Sequence, residues 1–196
     1  MSNDCLFTMY VAGRKADVEA VHNRLDYESD SAVSFARIKD VEPMYEPWAA
    51  SDDGEVVLMA FYGCCAWSVE TCMRDGDERY HSYPQNPEVT TTLELTAREL
   101  DVDLEVYSSE LGMGFAEHYR YEGGSGECLA DETVDYHESW FDDQTDFEEN
   151  REAYGVPEGI TFDDLDDGVY RTGGFDESCN ISVEGWSKRH EHTPKL

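Results

Sequence analysis

Around residue 91 the chain changes character in a way that few folds can accommodate. Thr91 stands three residues before Glu94 in the form of a capping box, and Leu93, Ala97 and Leu100 then fall on one helical stripe. After Asp101, Val102 and Asp103 the period changes: Leu104, Val106 and Ser108 alternate with Glu105 and Tyr107, as in a half-exposed strand. A helix that passes so abruptly into a strand has to lie back across the sheet that the strand joins.

The first half of the chain reads as strand, helix and two further strands. Residues 6–11 are β-prone and end at Gly13, and Val18, Val21 and Leu25 follow on one helical face. Residues 33–41 alternate through Val33, Phe35 and Arg37, and residues 55–63 (EVVLMAFYG) are a more continuous apolar run, with Asp53-Gly54 as the turn between them. Residues 115–121 and 133–137 read as further strands, separated by the turn Gly123-Gly124-Ser125-Gly126. The order strand, helix, strand, strand, helix, strand predicts an α+β fold. It is that of a ferredoxin-like split β-α-β antiparallel sheet with two helices on one face. The core would span residues 1–127, and an acidic extension over 128–196 would pack on it.

The chain carries 45 acidic residues against 14 basic ones, a net charge of −31. Twelve Tyr, eight Phe and four Trp supply a core, so this acidity is that of a folded protein and not of a disordered tract. A field of that sign repels nucleic acid and attracts basic surfaces, so a basic protein surface is the expected partner, with neither nucleic acid nor membrane. Salt adaptation is a competing account: only four basic residues are Lys, which fits it, whereas six Cys and twelve Tyr argue against it.

The cysteines include the adjacent pair Cys64-Cys65 and fall in strands as well as loops, which does not resemble a disulfide framework and points to a reducing compartment. No basic-then-apolar leader and no apolar run of about 20 residues is seen, so a cytoplasmic location is expected.

Sites for chemistry fare poorly. Residues 163–168 imitate the start of a calcium loop, but with Gly168 at its sixth position Leu165 falls on a ligand position and Gly174 replaces the terminal Glu. Cys64, Cys65, Cys72 and His81 lack zinc spacing, so buried structural thiols are expected and no metal or cofactor. No GxSxG elbow is present, and the pairs Glu117-His118 and His137-Glu138 put neighbours on opposite faces of a strand. The Gly112 and Gly123–Gly126 segments read as hairpin turns, lacking the Lys and helix of a phosphate cradle. His190 and His192 read as part of a terminal tail.

One stretch stands apart. Residues 128–167 hold 15 acidic residues and one basic, Arg151. The candidate partner-binding residues there are Asp131, Glu132, Asp135, Glu138, Asp142, Asp143, Asp146, Glu148, Glu149 and Glu152, interleaved with Trp140 and Phe141. Residues 142–154 predict an acidic helix with Phe147 and Tyr154 facing the body. Carboxylates fixed on a scaffold can occupy the Arg and Lys groups that otherwise hold phosphates, with aromatics as anchors. The bland alternative is a solvated acidic face.

Two further segments, residues 63–69 (GCCAWSV) and 110–118 (ELGMGFAEH), resemble the YubB-type ferredoxin-like family of plasmid and phage accessory proteins, over roughly residues 5–138. The resemblance implies no catalytic residues. Mobile elements of this kind often carry acidic anti-restriction and anti-CRISPR proteins. The expectation is therefore a non-enzymatic inhibitor that binds the basic nucleic-acid channel of a bacterial defence nuclease. The alternatives are a small metal-dependent enzyme acting on nucleotide or RNA and a salt-adapted soluble domain.

Overall fold

The alternation of Phe7, Met9 and Val11 with Leu6, Thr8 and Tyr10 makes the first strand two-faced, and the sheet is built outward from it. A computed structural model describes residues 4–26, 28–44, 55–74, 89–110, 113–135, 143–152, 156, 158–159, 161–163 and 179–190. In chain order the elements are β1 (Asp4–Arg14), α1 (Lys15–Leu25), β2 (Val33–Ser34), β3 (Ile38–Pro43), β4 (Val56–Ala66), a π-helical turn (Glu70–Arg74), β5 (Val89–Thr90), α2 (Leu93–Leu100), β6 (Asp103–Glu110), β7 (Phe115–Tyr121), β8 (Cys128–Asp135), α3 (Gln144–Asn150) and α4 (Val183–His190). Six strands form one antiparallel sheet in the order β3-β4-β1-β6-β7-β8, and β2 and β5 form a separate short parallel pair.

Helices α1 and α2 contribute Val18, Val21, Leu25, Leu93 and Ala97 to the same buried cluster as Phe7, Met9, Val11, Met59, Phe61, Leu104 and Val106. Each of these side chains larger than Ala97 stabilises the fold by about 1.5–3 kcal/mol relative to exposure. Gly63 lies opposite Phe7 in the β1–β4 register, where a Cβ would sit 2.4 Å from the Phe7 ring. Only glycine lets that ring cross the strand. Arg24 ties the two helices together, donating to Thr96 Oγ1 at 3.0 Å and to Glu99 Oε2 at 3.0 Å.

Several expectations shift. Residues 33–41 are two strands, because Arg37 at φ 57° turns the chain from the β2–β5 pair into the main sheet. A two-residue period cannot distinguish one strand from two that belong to different sheets. The N-cap of α2 is Thr92, whose hydroxyl accepts from Leu95 N at 3.2 Å; Thr91 is buried, with its Oγ1 3.2 Å from that of Thr96, and Glu94 pairs with Arg98. Strand β6 is buried on both faces along its whole length instead of half-exposed. Residues 183–190 are a helix, not a tail. Trp186 is 3% exposed, donates Nε1 to Asp101 O at 2.7 Å and stacks on His190, whose Nε2 lies 2.7 Å from Asp101 Oδ2. The Asp53-Gly54 turn, Tyr154 and His192 lie outside the described residues. Among those described, no helix is long and apolar enough to cross a membrane.

With the cap at Thr92, replacing it by Ala should cost about 1 kcal/mol in urea unfolding, whereas Glu94→Ala, which a capping box would penalise, should cost less than about 0.5 kcal/mol.

Candidate protein-binding surface

The acidic stretch starts on an edge strand, β8, and its carboxylates alternate between the two faces of the sheet. Asp131 receives both terminal nitrogens of Arg74, at 3.0 and 2.8 Å. The same guanidinium donates Nε to Tyr121 OH at 2.9 Å and lies over the Tyr119 ring. Glu132, on the opposite face, lies 2.7 Å from His118 Nδ1. Both residues are therefore engaged with their own protein, and the charge that each presents outward is partly spent. Sequence spacing could not reveal this, since Arg74 and His118 reach them only through strand pairing.

Asp143 is the N-cap of α3, accepting from Thr145 N at 2.8 Å and Asp146 N at 3.0 Å. A carboxylate suits that place because it meets unpaired N–H groups and the positive end of the helix dipole. Phe147 is buried against Phe162, with Arg151 over its ring. Asp146 accepts from Asn150 Nδ2 at 2.7 Å, and Glu148 from Gln144 Nε2 at 2.9 Å. Glu148, Glu149 and Glu152 project into water. The Asp135 side chain and Glu138, Trp140, Phe141 and Asp142 lie outside the described residues.

Asp103, Glu105, Glu110 and Glu117 are also buried, and of these Glu105 and Glu117 lie on opposite sides of the sheet. Glu117, 2% exposed, accepts from Val69 N, Glu70 N, Ser108 Oγ and Tyr119 OH. Glu105, fully buried, accepts from Tyr107 OH at 3.1 Å and from Asn180 N and Nδ2 at 2.6 and 2.8 Å, and lies 2.9 Å from His118 Nε2. Burial works to raise the Glu105 pKa, but the hydrogen bonds from His118, Asn180 and Tyr107 outweigh it and hold the group below the usual range. Burial likewise disfavours the charged His118 ring, and the flanking Glu105 and Glu132 overcome it, so its pKa is raised. With a carboxylate on each nitrogen, His118 clamps β6 to β8 across β7 and has no nitrogen left to serve a substrate. Glu117 and His118 point to opposite faces, as strand geometry requires.

Among the described residues the basic side chains are largely engaged within the molecule. Lys15, Arg24, Lys39, Arg98, Lys188 and Arg189 pair with Glu19, Glu99, Asp4, Glu94, Glu184 and Asp103, while Arg14, Arg37 and Arg151 lie over Trp186, Trp67 and Phe147. What remains outward among the described residues is mainly uncompensated carboxylate. Two recesses among the described residues, of about 170 and 110 Å³, are smaller than the ~300–1,000 Å³ of small-molecule sites. No trio of His, Cys, Asp or Glu among the described residues is arranged to hold a metal. Cys5, Cys65 and Cys72 are buried, Cys64 and Cys179 half-buried, and Cys128 exposed.

Because the folded-state pKa of His118 is raised above its unfolded value, its stabilisation is complete below about pH 6 and lost as pH rises through the folded value. Thermal melts from about pH 6 to 8 should fall for the parent protein, and His118→Gln should flatten that dependence. Compared with protein-family models, curated proteins and solved structures, the chain matches none of them.

Proposed function

We propose that this protein is a non-enzymatic acidic inhibitor that docks a rigid polyanionic surface into the basic nucleic-acid channel of another protein, in the manner of a nucleic-acid mimic. The observation that carries the reading is the internal use of its cations. Ion pairing and aromatic stacking consume nearly every basic side chain described, so the net charge of −31 is expressed outward through carboxylates such as Glu148, Glu149 and Glu152. Fixed carboxylates substitute for phosphates at arginine forks without the entropy cost of ordering a flexible acidic tail. The resemblance to YubB-type accessory proteins makes a bacterial defence nuclease, and a CRISPR effector in particular, the partner of choice.

The same resemblance favours a ferredoxin-like reading of the core. In the sheet, β4 lies between β3 and β1, and β1 lies between β4 and β6, so the connections through α1 and α2 each step over one strand. On this reading β7, β8, α3 and α4 are additions to a split β-α-β core, and the acidic extension grows from its edge.

The test is binding to purified defence nucleases at low and high salt, in competition with their nucleic acid. Reversing Glu148, Glu149 and Glu152 to Lys, which spares the Asp143 cap and the Asp131 and Glu132 clamps, should weaken binding on the order of tenfold or more, with most of the loss in low salt. Undiminished binding by the triple variant would remove α3 from the interface.

A further inference from the structure

Among the described residues three non-glycine positions have left-handed backbone, and two of them touch. Asp101, at φ 52°, is the C-cap of α2, where Asp is at ease. Arg37 and Trp67, at φ 57° and 80°, are bulky side chains where glycine is favoured. Arg37 O accepts from Ala66 N at 3.2 Å, and the Arg37 guanidinium carbon lies 4.3 Å from the centre of the Trp67 ring. Ser68 N donates to Ala66 O at 3.2 Å, closing the rarer γ-turn whose central residue, Trp67, has positive φ.

That strain is held from both sides. Before the turn, β4 is paired along its length with β1 and β3; after it, Glu117 accepts from Val69 N at 2.8 Å and Glu70 N at 3.1 Å, and Cys72 Sγ donates to Ala66 O at 2.8 Å. Backbone strain so over-determined is expected where it serves a site. The indole does not repay it by filling the core, since Trp67 remains 38% exposed.

We infer that Trp67 is an arginine-binding anchor, its indole held out by the strained γ-turn to stack against a guanidinium of the basic partner. This rests on the polyanion reading and names the chemistry of one contact within it. Indole is the strongest cation–π acceptor among side chains, and Arg37 shows this ring accepting a guanidinium. An exposed carboxylate borders the turn, since Glu70 lies three residues on, whereas Asp4, opposite Ala66 in the β1–β4 register, is already paired with Lys39. A planar guanidinium can stack and pair with a carboxylate at once, whereas a compact, strongly hydrated ammonium cannot. The location also fits, because Trp67, Met113 at 60% exposure and the last residue of β8 all lie at the same end of the sheet, where the acidic stretch leaves the edge strand.

Matched oligo-arginine and oligo-lysine peptides, titrated against the full chain over a range of salt, separate the two ideas. The polyanion reading needs both to bind with steep salt dependence. The anchor needs oligo-arginine to bind more tightly, by roughly two- to fivefold per engaged guanidinium, with that advantage persisting at higher salt. Trp67→Gly, which suits the turn, should keep or raise the melting temperature while abolishing the arginine preference and leaving oligo-lysine binding unchanged. Trp67→Asn, which tolerates positive φ, should do the same and serves if the glycine variant folds poorly. Failure of both peptides to bind would sink the polyanion reading. Binding of both with an arginine preference that survives in either folded variant would overturn the anchor alone.

Discussion

Strand β6 is buried on both faces, and the rest of the sheet depends on how that burial is reconciled with the carboxylates beside it. Glu105, on β6 itself, and Glu117, on β7, are taken out of water on opposite sides of the sheet. A buried carboxylate left without partners would cost several kcal/mol, enough to undo a domain of ordinary stability. Each is instead surrounded by donors. Glu117 binds the amides that open the π-helical turn, so it fixes the loop after β4; Glu105 binds Asn180, so it fixes the segment that leads into α4. These two anchors tie distant parts of the chain to the adjacent strands β6 and β7.

The same logic runs outward to the surface. A protein with 14 basic residues and 45 acidic ones could have spread its cations evenly and diluted its field. Instead three arginines sit at joints: Arg24 between α1 and α2, Arg74 between the π-helical turn and β8, and Arg189 between α4 and the start of β6. Each neutralises a carboxylate where elements meet, and the uncompensated charge is left on exposed parts such as α3. Structural economy and a strong external field therefore arise from one arrangement. Charges at joints gain from reduced screening, whereas those on open surface gain nothing from pairing within the protein.

The end of the sheet where β1 starts and β8 finishes brings together features that differ in kind: a strained γ-turn, an exposed indole and the last acidic residue of the edge strand. A polyanion alone recognises positive charge without discrimination. An aromatic surface set beside carboxylates would let such a protein distinguish one cationic groove from another, because stacking depends on shape and charge attraction does not.

The periodicities of the sequence sufficed to locate β1, α1, β4, α2, β6 and β7, because alternating and 3.6-residue patterns are imposed by which residues a strand or helix can bury. Composition likewise determined the sign and size of the external field. Spacing also placed Glu117 and His118 on opposite faces, since that arises from the pleat alone. What it could not supply was partnership. Asp131 with Arg74, Glu132 with His118 and Glu105 with Asn180 are separated by 57, 14 and 75 residues and meet only because strands pair and α4 folds back. The docking of α4 was hidden because its few apolar residues, Val183 and Trp186, make too faint a stripe beside Lys188, Arg189 and His190. The two-sided burial of β6 was hidden because an alternating Glu and Tyr read as solvent-facing until their partners arrive. Local pattern thus decided which segments would be strands and helices, and tertiary structure alone decided which charges stay inside and which face water, because desolvation is settled by neighbours that the chain brings from far away.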